Sequence, residues 1–452
     1  LTTTSTLDSV IEARWVIPVE PSGKVLHQHA VVIRDKHILE IIPIHEAREK
    51  YKKAPTHQLP SHALIPGLIN AHGHAPMTLL RGLADDLPLM SWLNDHIWPA
   101  ERRWVSEQFV RDGTTLAIAE MLLSGTTTFV DMYFYPDVVA QCAQEQKIRT
   151  QVSSPIIQFP SAWAADESEY VHKALQFNDD YRNQELIYPA FGPHAPYSVS
   201  DDALTHVATL AEEMDIPIHM HVHETAQEIS DSIATFGKRP LQRLGDLGVL
   251  SPRFQAVHAV DLDENDFTLL RESGAGVVHC PKSNMKLASG FCPVDRLHKE
   301  QIRVALGTDG ASSNNALNML EEIRTAALMA KAVNRDASTL PAADALKMAT
   351  LDAANILGLG DEIGSIEPGK RADLTALNFE RPIRPAIYDP ISHLVYSAND
   401  ESVSHVWVNG QMLLENRRLT LMDLETLSKK VADWQAKIDT AHRQQQLDFE
   451  ST

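Results

Sequence analysis

The chain has 452 residues, 44% of them hydrophobic and 22% charged, with a formal charge of −20 at pH 7. That length suits one large domain with a smaller companion, and the acidity excludes a nucleic-acid partner, whose phosphates need a dense basic surface. No apolar run approaches the roughly 20 residues that cross a bilayer, and residues 1–9 carry neither the basic nor the apolar part of a secretory signal, so the expected setting is cytoplasmic, away from the membrane.

In chain order, residues 10–19 and 25–43 are rich in Val and Ile, are broken by Pro21-Ser22-Gly23, and read as strands. From 64 to 360, short apolar runs alternate with helical stretches such as 201–214. The runs fall at 126–131, 150–155, 187–193, 216–222, 255–260, 276–280 and 304–308. Strand-then-helix repetition over this length predicts parallel β/α architecture. A doubly wound sheet would share the alternation. However, the Gly358-Leu359-Gly360 stretch reads as a helix end rather than a phosphate loop. Strand-like sequence returns at 364–379 and 403–414, the latter with the hairpin signal Asn409-Gly410. Residues 422–446 read as a charged amphipathic helix that packs or offers an oligomer surface. The expected layout is an α/β fold. A (β/α)8 TIM-type barrel spans 64–365, a small β-sandwich is built from 1–63 plus 366–421, and a helical tail occupies 422–452.

What separates a barrel from an open sheet is where the polar residues fall. The sequence has 21 histidines, and several stand at the ends of the apolar runs. The stretch from Pro66 ends in His72-Gly73-His74; residues two apart on a strand share a face, so both imidazoles can reach one metal ion. Later runs end in His194, in His219-Met220-His221-Val222-His223-Glu224, in His258 and in Asp309. Barrel strands deliver their C-terminal residues to one mouth. Imidazoles with one carboxylate suit Zn²⁺ or Fe²⁺, and an open position leaves room for water. A single histidine is ordinarily a core or surface residue, and His27, His29, His45, His57 and His62 are read that way. Cys142, Cys280 and Cys292 form no ligand or disulfide pattern and fit a reducing compartment.

With these motifs assembled, the segment 66–74, His221-Val222-His223-Glu224-Thr225 and Gly307-Thr308-Asp309-Gly310-Ala311 resemble the metal-dependent amidohydrolase superfamily. The segments 92–101, 192–197 and 280–287 are similar to those of the 5-methylthioadenosine/S-adenosylhomocysteine deaminase family. Triazine hydrolases share several of these motifs. The resemblance implies that His72, His74, His221 and Asp309 hold one Zn²⁺ per subunit, with Fe²⁺ as the alternative. Glu224 would be the proton shuttle, and His258 would hold the attacking hydroxide or steady the charge built on it. It also implies that Glu101 binds the ribose hydroxyls, that Trp92 and His194 line the nucleoside pocket beside Glu224, and that the chain forms a homo-oligomer. His194 stands where binuclear relatives need a bridging lysine, which favours one metal. His219, His221 and His223 share strand parity; the family's His-x-x-Glu spacing selects His221, the placing of catalytic groups at strand ends disfavours His219, and His223 stays open as a supporting or pocket-lining group.

The expected reaction is hydrolytic removal of the 6-amino group of an adenine nucleoside, a small-molecule partner. 5′-Methylthioadenosine comes first, then S-adenosylhomocysteine or adenosine. The rivals are a triazine hydrolase, a guanine or cytosine deaminase on the same metal core, and a non-catalytic metal-containing binding protein. The last sits poorly with Glu224, because structural zinc sites are closed and lack a poised carboxylate.

Overall fold

The computed structural model describes residues 7–380 and 386–450; residues 1–6, 381–385 and 451–452, which the expected outer ranges include, lie outside the described residues. Four strands open the chain: β1 (Leu7–Val16), β2 (Leu26–Arg34), β3 (His37–Pro43) and β4 (Thr56–Pro66). A helix, Ile44–Lys50, follows directly on the stretch 25–43 that reads as strand. Arg48 of that helix donates to both carboxylate oxygens of Glu12, at 2.8 and 2.7 Å.

Eight parallel strands follow: β5 (Leu68–Asn70), β6 (Thr126–Asp131), β7 (Arg149–Ile156), β8 (Ile187–Pro193), β9 (Ile218–Val222), β10 (Phe254–His258), β11 (Gly276–His279) and β12 (Val304–Leu306). Each pairs with the next in chain order. The ring closes where the Ala71 amide donates to Leu306 O at 2.9 Å and the Asp309 amide donates to His72 O at 3.0 Å. Glycine is needed at 307 for that closure, since a Cβ there would fall 2.7 Å from the His72 amide nitrogen. Helices buried along one stripe cover the barrel. The helix Asp201–Met214 starts on the Ser200 side chain and buries Leu204, Val207 and Ala211 at helical spacing.

The last strands, β13 (Leu374–Asn378), β14 (Val403–Val408), β15 (Gln411–Glu415) and β16 (Arg418–Leu419), join the first four in one sheet ordered β16-β15-β14-β13-β4-β1-β2-β3. The small β unit therefore does draw on both chain ends. Residues 364–373 turn instead of extending, because Gly364 and Gly369 are left-handed (φ 89° and 94°). Alternation along β1 sends Ile11 and Ala13 into one apolar cluster with Val31, Ile33 and Trp407, and Val10 to the opposite face with Ala30, Val32 and Ala47. The final helix, Leu424–Glu450, packs back on the barrel. Trp434 lies edge-on to Phe109 and donates to Asp112 at 3.1 Å. Among the described residues no helix is long and apolar enough to cross a membrane.

Candidate active site at the barrel mouth

His72 and His74 follow β5, His221 lies within β9, His258 ends β10 and Asp309 follows β12. Two of these residues, His258 and Asp309, have left-handed backbones (φ 75° and 62°). That conformation is uncommon for non-glycine residues and concentrates at functional sites.

The side chains converge. Asp309 Oδ1 is 3.3 Å from both His72 Nε2 and His74 Nε2. His221 Nε2 is 3.2 Å from His72 Nε2. The opposite ring nitrogens are already spent: His74 Nδ1 donates to Met132 O at 2.6 Å, and His221 Nδ1 donates to His194 O at 2.8 Å. Each Nε2 is therefore the nitrogen left to face a cation, which it ligates as a bare lone pair once any proton on it has been displaced. Ligand atoms of His72, His74 and Asp309 lie within 4.8 Å of one another, as do those of His72, His221 and His258. Imidazole nitrogens turned on each other beside a carboxylate fit a divalent cation, which displaces the proton on His74 as it binds.

Asp309 is shaped for such a role. Ser283 and Ser313 hydroxyls donate to its Oδ2 at 2.6 and 2.9 Å, and the Gly310 amide donates to Oδ1 at 2.8 Å. Burial opposes ionisation there, but His72 and His74 outweigh it and hold the carboxyl well below the usual range. Burial also opposes charge on His74, and Asp309 overcomes it, raising this imidazole to about 9.

Glu224 stands beside this cluster, its Oε1 3.7 Å from His258 Nε2. Burial raises its carboxyl above the ordinary value, partly offset by His258. Its backbone is fixed by Glu228, whose two oxygens accept the His223 and Glu224 amides at 3.1 and 2.7 Å. His258 Nδ1 donates to Asn284 Oδ1 at 2.9 Å.

The cluster floors a cavity of about 560 Å³. Trp92, Glu101, His194, His221, Glu224, His258 and Asp309 all line it. Glu101 sits on the helix Trp98–Trp104 and accepts the Tyr133 hydroxyl at 2.7 Å; burial pushes its carboxyl up to about 6. Burial holds His194 neutral, down to about 4. Trp98 and Phe159, which also line it, meet with ring centroids 5.9 Å apart, and Leu89, Phe134 and Ile157 add to its apolar lining.

Of the other two histidines of that run, neither lines the cavity, so His223 is not the pocket group the sequence left open. His223 has a positive φ of 55° that breaks the strand parity. Its Nδ1 donates to Asp261 O and its Nε2 accepts the Leu241 amide, so it ties two loops together. His219 keeps the parity and lies behind His72. Several residues escaped the sequence reading. Tyr133, Ser283 and Asn284 bond partners distant in sequence, Ser313 bonds Asp309 four positions before it, and Arg102 lines the cavity one position past Glu101. Ser283 and Asn284 do stand in the 280–287 motif, which was the available signal.

A ring of strand-end imidazoles and one aspartate, closed by a carboxylate fit for proton transfer, defines a hydrolase built around a metal ion. The chain belongs to the amidohydrolase family, whose model matches residues 63–413, as one of its metal-dependent aminohydrolases. It is 51% identical to the 5-methylthioadenosine/S-adenosylhomocysteine deaminase of Saccharophagus degradans, over 97% of this chain and 98% of that one. The zinc-bound crystal structure of an adenosine deaminase from Xanthomonas campestris superposes with a TM-score of 0.95 at 47% identity, covering 96% of this chain and 99% of that one. An atrazine chlorohydrolase from Arthrobacter aurescens shares the fold, with a TM-score of 0.88 at 24% identity over 94% and 99% of the two chains.

Proposed function

We propose that the protein hydrolyses the 6-amino group of 5′-substituted adenine nucleosides, with 5′-methylthioadenosine ahead of S-adenosylhomocysteine and adenosine. The observation that carries this reading is the placement of Glu224 and Glu101 in one cavity. One carboxylate stands at the metal cluster, and the other stands on the wall where a ribose would lie.

His72, His74, His221 and Asp309 are assigned as ligands of a single Zn²⁺ per subunit, with Fe²⁺ accepted by the same donors. No lysine is among the described residues lining the cavity, which supports one ion over a bridged pair. When bound, such a cation supplies hydroxide at neutral pH by lowering the pKa of water from about 16 to about 7.

The chain's own residues do the rest. Glu224 takes the proton of the attacking water and delivers it to N1 of the purine, so that negative charge does not accumulate on the ring. His258 Nε2 faces Glu224 and steadies the oxygen that attacks C6. Asp309 takes the second proton from the attacking oxygen and passes it to the 6-amino group as the tetrahedral centre collapses, so that the nitrogen leaves as ammonia. Glu101 accepts the ribose hydroxyls through the oxygen that Tyr133 leaves free, and Trp92 and His194 flank the nucleoside. The apolar wall of Trp98 and Phe159 then meets the 5′ group, which favours a methylthio substituent. A free base would leave that wall and Glu101 unused.

The assay is ultraviolet absorbance with ammonia release, run in parallel on methylthioadenosine, S-adenosylhomocysteine and adenosine. Loss of the adenine band with stoichiometric ammonia is expected, fastest for methylthioadenosine. No change with any of the three sinks the nucleoside reading and turns attention to free bases and triazines. The three free, buried cysteines accord with a cytoplasmic setting, and a homo-oligomer is the assembly we expect.

A further inference from the structure

His219 is completely buried and lies outside the cavity, yet its ring is bonded at both nitrogens. Its Nε2 is 2.8 Å from His72 Nδ1, and its Nδ1 is 2.7 Å from Oε1 of Gln255, the residue paired with it across β9 and β10. Gln255 is buried as well. Its Nε2 reaches Ile356 O at 3.3 Å and Gln151 Oε1 at 3.1 Å, while Gln151 Nε2 returns a bond to Gln255 Oε1 at 2.8 Å.

This chain of bonds has one allowed direction. Ile356 ends the helix Leu351–Ile356, and the last carbonyls of a helix have no partner within it. A carbonyl can only accept, so the Gln255 amide must turn its NH₂ toward Ile356 and its oxygen toward His219. The His219 proton is then on Nδ1, donated to Gln255. Its Nε2 is bare and accepts the proton on His72 Nδ1. His72 Nε2 is bare in turn, and it is this atom that faces Asp309 and His221. The other arrangement would oppose two acceptors at Ile356 or two protons at His72.

We propose that His219 is a positioning residue for the metal centre, holding His72 in its ligating tautomer and orientation through a relay anchored on the Ile356 carbonyl. His74 and His221 obtain the same service from backbone carbonyls, which no substitution can remove. His72 obtains it from a side chain, so this arm of the centre can be altered from behind without touching the cavity. The inference rests on the reading of His72 as a metal ligand.

The test is the zinc dissociation constant of the whole protein, measured by competition with a chromophoric chelator. His219→Phe keeps the ring volume and removes the acceptor; a 10–100-fold weaker affinity is expected, the usual effect of losing a partner of a ligating histidine. His219→Gln, whose Oε1 can take the place of Nε2, should recover most of it. Gln255→Leu, which removes the acceptor behind His219, should weaken zinc in the same direction. Wild-type affinity in His219→Phe overturns the proposal, as does an equal loss in the Phe and Gln variants, which would mark a packing role. If His219→Phe does not fold, unchanged affinity in Gln255→Leu overturns it. His72→Ala separates the two readings: if zinc affinity survives there, the ligand assignment fails, whereas its loss there with no effect at His219 defeats the relay alone.

Discussion

Glu224 Oε1 and His258 Nε2 face each other at 3.7 Å across the floor of the cavity, with the Asp309 carboxylate on the same floor. The gap is too long for a direct hydrogen bond and leaves both groups open to a third atom. Both are fixed from behind, Glu224 by Glu228 beneath its backbone and His258 by Asn284. A carboxylate held in this way can exchange a proton without moving its backbone.

Glu224→Gln should therefore bind zinc as the wild type does, since the converging ligand atoms come from other residues, while kcat falls by at least 10²–10⁴-fold, the range typical of one general acid–base group. Metal analysis beside steady-state kinetics checks both halves. Normal turnover would remove Glu224 from the mechanism.

Glu101 gives a pH dependence whose sign can be worked out. Burial raises its carboxyl to about 6, with the Tyr133 hydroxyl pulling the other way. In the proposed role, the anion above that pH would accept the ribose hydroxyls, and the proton below it would remove an acceptor. KM for nucleosides should rise as pH falls through about 6, and Glu101→Gln should flatten that limb. Tyr133→Phe removes a donor that favours the anion, so the limb should move to higher pH. A KM profile that Glu101→Gln leaves unchanged would discard the ribose assignment.

How much of this could be read from the chain follows from the physics of each element. The barrel strands were legible because each is a short apolar run buried on both faces, and His72, His74 and Asp309 were legible because they sit where such runs end. The helix Ile44–Lys50 was not, since Ile42 and Ile44 extend the β-rich composition ahead of it. Parity placed His219, His221 and His223 on one face. The structure breaks that tie locally, through the positive φ at His223, which no pattern of side chains announces. The relay behind His72 joins positions 72, 219, 255 and 151, and only the closed barrel brings them together.

Arg149 tests stability apart from chemistry. It begins β7, at the barrel end opposite the mouth, and is fully buried. It donates to Asp373 at 2.9 and 3.2 Å, to Tyr188 at 2.9 Å and to Asn409 at 2.7 Å, tying the barrel to the terminal sheet. Arg149→Ala would leave the Asp373 carboxylate buried without its cation, and a loss of about 3–5 kcal/mol is expected. Denaturant unfolding reads this directly. Because the pair lies far from the mouth, kcat per folded molecule should stay at the wild-type value, and a large fall in kcat would show that the two ends of the barrel are coupled.

The wall above Glu101 should decide among 5′ substituents. If C6 sits at the metal cluster and the ribose at Glu101, as proposed, the 5′ group would reach the apolar lining where Trp98 packs on Phe159, itself 38% exposed. A methylthio group buries apolar surface there and a bare 5′ hydroxyl does not. Removing the ring in Trp98→Ala should lower kcat/KM for methylthioadenosine by about 10–200-fold, the scale of one lost apolar contact, with a much smaller effect on adenosine. Arg102 is the cation beside that wall. If S-adenosylhomocysteine is turned over, its amino-acid carboxylate is the group that needs such a cation, so Arg102→Ala should lower kcat/KM for that substrate alone. Equal losses for all three nucleosides in both variants would mean that the wall shapes the cavity as a whole and does not read the 5′ tail.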